Sequence, residues 1–173
     1  MPGVLSQGVL LNNPANELQF GVNPLTPYAS VPGVPQSNPL YVTISAPGFT
    51  PTTTAISPYG YVDSGGIFGA VPQNSLPAGQ TPIMVGNNFY VPEGDTLSVY
   101  TGTPGSGTLL YSMVVNHDAN PVILTNNGFN SGVFPFSGAD SELFDNTGAS
   151  APNGIPIYVS YSPSGVGTFE FDS

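Results

Sequence analysis

Apolar and polar residues take turns along several stretches of the chain. Leu18, Phe20 and Val22 alternate with Glu17, Gln19 and Gly21, and Leu40, Val42, Ile44 and Ala46 alternate with Tyr41, Thr43 and Ser45. A period of two puts one set of side chains on each face of an extended strand, so these segments read as strands with a dry face and a wet face, as in antiparallel sheets. The pattern returns where Leu97 and Val99 oppose Thr96, Ser98 and Tyr100, where Ile155, Ile157, Val159 and Tyr161 oppose Pro156, Tyr158 and Ser160, and where Phe169 and Phe171 oppose Thr168 and Glu170. Apolar runs at 67–71, 88–91, 108–115, 121–125 and 132–136 add further candidates, for roughly eight to ten strands in all.

The 22 glycines and 20 prolines punctuate these runs instead of clustering, as turns between strands do. The longest stretch free of both, Thr108 to Asn120, opens with the β-formers TLLYSMVV. Helix has room for about one turn, from Ala139 to Phe144 with Ser137 as its cap. The pattern predicts an all-β fold, an antiparallel two-sheet β-sandwich or jelly roll with an extended N-terminal arm. Five prolines between Asn23 and Pro39 mark an extended linker. The chain thus divides into an arm at 1–22, a Pro-rich linker at 23–39 and a β-sandwich domain at 40–173. An arm carrying Val9, Leu10 and Leu11 can join its own sheet or a neighbouring copy's edge by strand addition.

Charge narrows the partners. Ten acidic residues, one histidine and no lysine or arginine give a formal net charge of -10. Such a chain cannot neutralise phosphates and release counterions, which excludes nucleic acid and anionic membrane surfaces as direct ligands. No apolar run of about 18 residues is present to span a bilayer. The carboxylates are expected to be solvated, bonded to backbone N–H groups or bound to a metal. Absence of cysteine removes disulfides and thiolate chemistry. The opening MPGVLSQGVLL lacks the basic and long apolar regions of a secretory signal, so cytosolic synthesis and exit by assembly or lysis is the expectation unless processing has removed a signal. Missing cations fit a biased amino-acid usage, or exposure to trypsin-like proteases and dense assembly.

Candidate chemistry is sparse. His117, the single histidine, sits in a polar stretch with no nucleophile motif to serve and reads as a loop residue. Acids group as Glu93/Asp95, Asp140/Glu142/Asp145 and Glu170/Asp172. Glu170 and Asp172, two apart in a strand, should share a solvated face. A glycosidase pair would need a raised carboxyl in an aromatic cleft, and the chain has no tryptophan. The loop from Ser137 to Asn146 offers Asp140, Glu142 and Asp145 with carbonyls nearby, hard oxygen ligands suited to calcium, and no other cofactor is expected. Gly102 to Gly107 joins two strands and lacks the lysine of a phosphate cradle, so it is a hairpin loop.

Glu93-Gly94-Asp95-Thr96-Leu97-Ser98-Val99-Tyr100-Thr101-Gly102 followed by Thr108-Leu109-Leu110 resembles the hairpin of CUB domains, and 155–159 and 167–171 resemble the last two strands of that family. The resemblance implies an extracellular β-sandwich and a calcium ligand at Asp95. The sequence departs from the family at Thr101, at Tyr161 to Ser164 and in lacking cysteines. With no active site in view, the expected function is a non-enzymatic structural subunit of a virion or extracellular assembly. It would be a capsid decoration, cement or fibre protein that assembles with itself and other assembly proteins through β-strand contacts. A secreted CUB-like binding or adhesion module, dependent on calcium, is the second reading, and a small hydrolase the third.

Overall fold

The computed structural model describes residues 3–32, 40–56, 60–63, 69–116, 120–126, 128–137, 154–161 and 167–173. In chain order the strands are β1 (Gly8–Asn12), β2 (Glu17–Phe20), β3 (Pro27–Pro32), β4 (Leu40–Ser45), β5 (Thr52–Ile56), β6 (Gly60–Tyr61), β7 (Ala70–Pro72) and β8 (Ile83–Val85). There follow β9 (Asn88–Tyr90), β10 (Thr96–Tyr100), β11 (Leu109–Val114), β12 (Val122–Leu124), β13 (Phe129–Asn130), a one-turn helix α1 (Phe134–Ser137), β14 (Ile157–Ser160) and β15 (Thr168–Asp172). They form three sheets, ordered β2-β1-β14-β15-β3, β11-β10-β4-β5 and β6-β13-β7-β12-β9-β8. The chain is all-β as its patterning predicts, with one sheet more than a simple sandwich.

The second sheet follows directly from alternation. Leu97 lies opposite both Ile44 and Met113, and Val99 opposite both Val42 and Tyr111. All six are buried in the common core, whose apolar burial supplies the main stabilising free energy. On the outer face hydroxyls pair across strands, Thr43 with Thr53 at 2.8 Å and Ser98 with Ser112 at 2.9 Å. Cross-strand hydroxyl pairs stabilise a sheet modestly and do so here without a cationic side chain.

The first sheet gathers both ends of the chain. β1 pairs with β14 and β2, and β3 pairs with β15 from Pro27 opposite Asp172 to Pro32 opposite Thr168. Segment 23–39, read from its prolines as extended linker, therefore contains a sheet strand. Pro27 and Pro32 sit at the two ends of an edge strand, where a missing N–H costs no ladder bond. Tyr28 ties this sheet to the second one, its hydroxyl donating to the Leu110 carbonyl at 2.6 Å.

Three expectations need correction. Residues 132–136 are not a strand: Gly132 takes φ +60°, Phe136 N–H donates to the Val133 carbonyl at 3.0 Å, and the chain turns into α1 with Phe134 and Phe136 buried. The face that carries Glu170 and Asp172 is not solvated: both carboxylates accept from Asn23 Nδ2, and Asp172 is only 1% exposed. The third sheet is mixed, with β7 parallel to β12 and β6 parallel to β13. The helical turn expected at 139–144 lies outside the described residues.

Candidate active site

The unusual part of the third sheet is its end. β6 and β7 follow one another in the chain, yet they do not pair, because β13 lies between them, parallel to β6 and antiparallel to β7. Phe129 sits opposite Gly60, and Asn130 opposite both Tyr61 and Ala70. A strand so placed must come very close to the backbone that leads into β7, and Gly69 permits it. A Cβ at residue 69 would lie 2.8 Å from the Asn130 carbonyl oxygen and 3.1 Å from that of Ser131.

Asp63 stands just past the end of β6, half-buried, after the buried Val62. Its backbone N–H donates to Ser131 Oγ at 2.9 Å, and Asn130 Nδ2 donates to its Oδ2 at 2.9 Å. The Asn130 amide is fixed at its other end, since Gly132 N–H donates to its Oδ1 at 2.7 Å. Ser131, 1% exposed, uses its own proton on the Gly132 carbonyl at 2.8 Å. The two residues at the end of β13 thus hold both the backbone and the carboxylate of Asp63. Such a shell fixes a carboxylate in one orientation, which acid–base chemistry on a bound substrate requires.

Among the described residues the carboxylates of Asp95 and Asp172 are buried, and both are met by side-chain amides. Gln80 Nε2 donates to Asp95 Oδ2 at 2.6 Å. Asn23 Nδ2 is shared between Glu170 Oε2 at 2.8 Å and Asp172 Oδ1 at 3.1 Å. Burial raises the Asp95 carboxyl above its ordinary range, against the opposing Gln80 bond. Burial likewise raises Asp172, with Asn23 opposing and the charge of Glu170 adding to the rise. Both groups therefore hold a proton more tightly in the folded chain than in the unfolded one. Their contribution favours folding most below the ordinary aspartate value near 4 and fades as pH climbs through the raised folded values. Melting temperature should accordingly be higher at about pH 4 than at pH 8. A thermal melt series checks this, and a curve that climbs steadily toward pH 8 would contradict it.

Among the described residues no group of three or more His, Cys, Asp or Glu could hold a metal ion. The proposed calcium ligands Asp140, Glu142 and Asp145, and His117, lie outside the described residues. Asp63 is not among the acids that sequence reasoning singles out. It has no acidic neighbour in sequence, and the available signal is subtler: an acid directly after Tyr61-Val62 and directly before the small residues Ser64-Gly65-Gly66.

The sequence profile of the PE-PGRS C-terminal aspartyl peptidase-like domain matches residues 1–140. PE cleavage protein A of Mycobacterium tuberculosis, from strains CDC 1551 / Oshkosh and H37Rv alike, is 36% identical over 173 residues, covering 99% of this chain and 25% of the relative. PE cleavage protein A of Mycobacterium marinum is 31% identical over 170 residues, covering 98% of this chain and 24% of the relative. The chain spans about a quarter of the length of the curated relatives it matches. No solved structure matches it.

These similarities overturn the expected virion or filament subunit, its virion location and the reading of the chain as a non-enzyme. The profile is peptidase-like and the relatives are mycobacterial proteins named for cleavage. The physical error lay in treating the lack of cations, cysteine and a nucleophile motif as a lack of chemistry. Paired carboxyls need none of these to move protons.

Proposed function

Because the chain belongs to the PE-PGRS C-terminal aspartyl peptidase-like domain family, we propose that it takes part in peptide-bond hydrolysis by carboxyl acid–base chemistry, with Asp63 as one catalytic carboxyl. The reaction needs two such groups. Held close together they cannot both ionise, so they share one proton. The ionised carboxylate draws a proton from the attacking water, and the protonated one supplies a proton to the reacting amide. Hydrolysis then proceeds with no cation, thiol or metal from the chain.

The observation that carries this reading is the placement of Asp63 at the end of β6, its carboxylate held by Asn130 and its backbone by Ser131. The relatives' name ties them to cleavage of PE, and a polypeptide of that kind is the substrate class we assign here. The test is cleavage of PE polypeptides and of a mixed peptide library by the full chain at mildly acidic pH, compared with Asp63→Asn. Cleavage that survives the substitution would sink the reading.

A further inference from the structure

The β8–β9 hairpin forms the edge of the third sheet opposite β6. It meets its neighbour at one register position, Val122 of β12 opposite Tyr90, and beyond that it carries Met84 and Phe89, paired across the hairpin and 67% and 46% exposed. So slight an attachment leaves the position of the hairpin to its base, where the last residues of two turns meet. Turn 77–80 closes with the Gln80 N–H on the Pro77 carbonyl at 3.0 Å, and turn 92–95 with the Asp95 N–H on the Pro92 carbonyl at 3.4 Å. Gly79 and Gly94, third in each, take φ +84° and +83°, which such turns reserve for glycine. Gln80, ahead of β8, then donates from Nε2 to Oδ2 of Asp95, which follows β9, at 2.6 Å. The bond spans the root of the hairpin.

That contact is half made. An amide head carries a donor and an acceptor side by side, and here the acceptor, Gln80 Oε1, is buried without a hydrogen-bond partner, a costly state for an oxygen away from water. Asp95 is 2% exposed, and an ionised carboxylate offers that oxygen only lone pairs. A protonated carboxyl has an O–H as well, so acid and amide can pair by two bonds, N–H to carboxyl oxygen and O–H to amide oxygen. Burial favours the protonated form of Asp95 too, with the Gln80 N–H opposing. Glu93, in the same turn, is exposed, while Pro92, Val115 and turn 77–80 bring no titratable side chain. His117 and Asp118, beyond β11, lie outside the described residues. With Oδ2 taken by an N–H, and no group of three or more His, Cys, Asp or Glu among the described residues, this carboxyl serves Gln80 and not the calcium that the CUB resemblance implies. We propose that Asp95 carries a proton and donates it to Gln80 Oε1, so that acid and amide close a two-bond clasp at the base of the β8–β9 hairpin, and that loss of this proton loosens the hairpin. The clasp holds below the ordinary aspartate value near 4 and weakens as pH climbs through the raised value of the clasped state.

The experiment follows amide hydrogen exchange in the full chain from pH 4 to pH 8. After correction for intrinsic rates, the hairpin amides of wild type should exchange progressively faster relative to those of β4, which report global opening. The ratio should grow by about tenfold for each pH unit between the ordinary aspartate value and the one found for Asp95. Asp95→Asn presents permanently the donor and acceptor of the protonated acid, so its ratio should stay near the wild-type value at pH 4 throughout. A second measurement needs no variant: the Asp95 side-chain carboxyl carbon, assigned by NMR through its own backbone, should titrate above about 4 and over the range in which the hairpin loosens. An Asp95 that titrates at or below 4, a hairpin whose relative exchange ignores pH, or an Asp95→Asn chain with the same pH dependence as wild type would each overturn the proposal.

Discussion

Replacing Asp63 with Asn is expected to lower kcat/KM for peptide cleavage by about 10²–10⁴-fold, the span that a positioned acid or base contributes. The substitution keeps size and planarity but removes the ability to take or give a proton. The fold should survive it. The bond from the residue 63 N–H to Ser131 Oγ uses backbone and is untouched, and the carbonyl oxygen of the introduced side-chain amide can still accept from Asn130. Melting temperature should therefore stay close to that of wild type while turnover disappears. Paired melts and cleavage assays separate the two effects, and a variant that loses both together would place Asp63 among structural residues.

The second large effect is expected at Gly69. Any side chain there meets the Asn130 carbonyl oxygen at 2.8 Å, and the Ser131 carbonyl oxygen and a Phe134 ring carbon at 3.1 Å each. Two of these neighbours are backbone, pinned between β6 and β7, and Phe134 is buried, so none can step aside cheaply. Gly69→Val should cost about 3 kcal/mol or more, the upper range for overpacking. For a chain of this length that is about 6 °C or more in melting temperature. Because the displaced atoms belong to the residues that hold Asp63, cleavage should fall further than the lost stability explains. Gly69→Val melting like wild type would mean that β13 does not pass beside residue 69.

What the sequence made legible is the part of the fold governed by local period. β4, β10 and β15 each show alternation, and Val42, Ile44, Leu97, Val99 and Phe171 are buried as that alternation requires. β5 is absent from the strands that alternation predicts, since TTTAI places a threonine on the dry side; Thr54 is buried with its hydroxyl donating to the Asn74 carbonyl. β6 and β13, two residues each, are too short to have a period at all.

The candidate site is built on those two strands, which is why it stayed hidden. Sequence reasoning grouped acids by nearness along the chain, whereas the partners of Asp63 lie 67 and 68 residues away. Asp172 was misplaced for another reason: the side of β15 that it shares with Glu170 is covered, with Asn23 bonded to both carboxylates from about 150 residues away, and no composition or spacing announces that cover. The amides of Asn23 and Gln80, which make its burial and that of Asp95 tolerable, are likewise long-range or loop-borne partners that no motif records.

The strand that threads between β6 and β7 also sets a clock. When Asp63 leaves the ribosome, the residues that will orient it have not been made, and the sheet end around it cannot close until residue 132 has followed. Contacts of such sequence separation form late and slowly, after the local hairpins β4–β5 and β10–β11 are available. Asp63 therefore takes its observed orientation only after the chain has been made as far as residue 132.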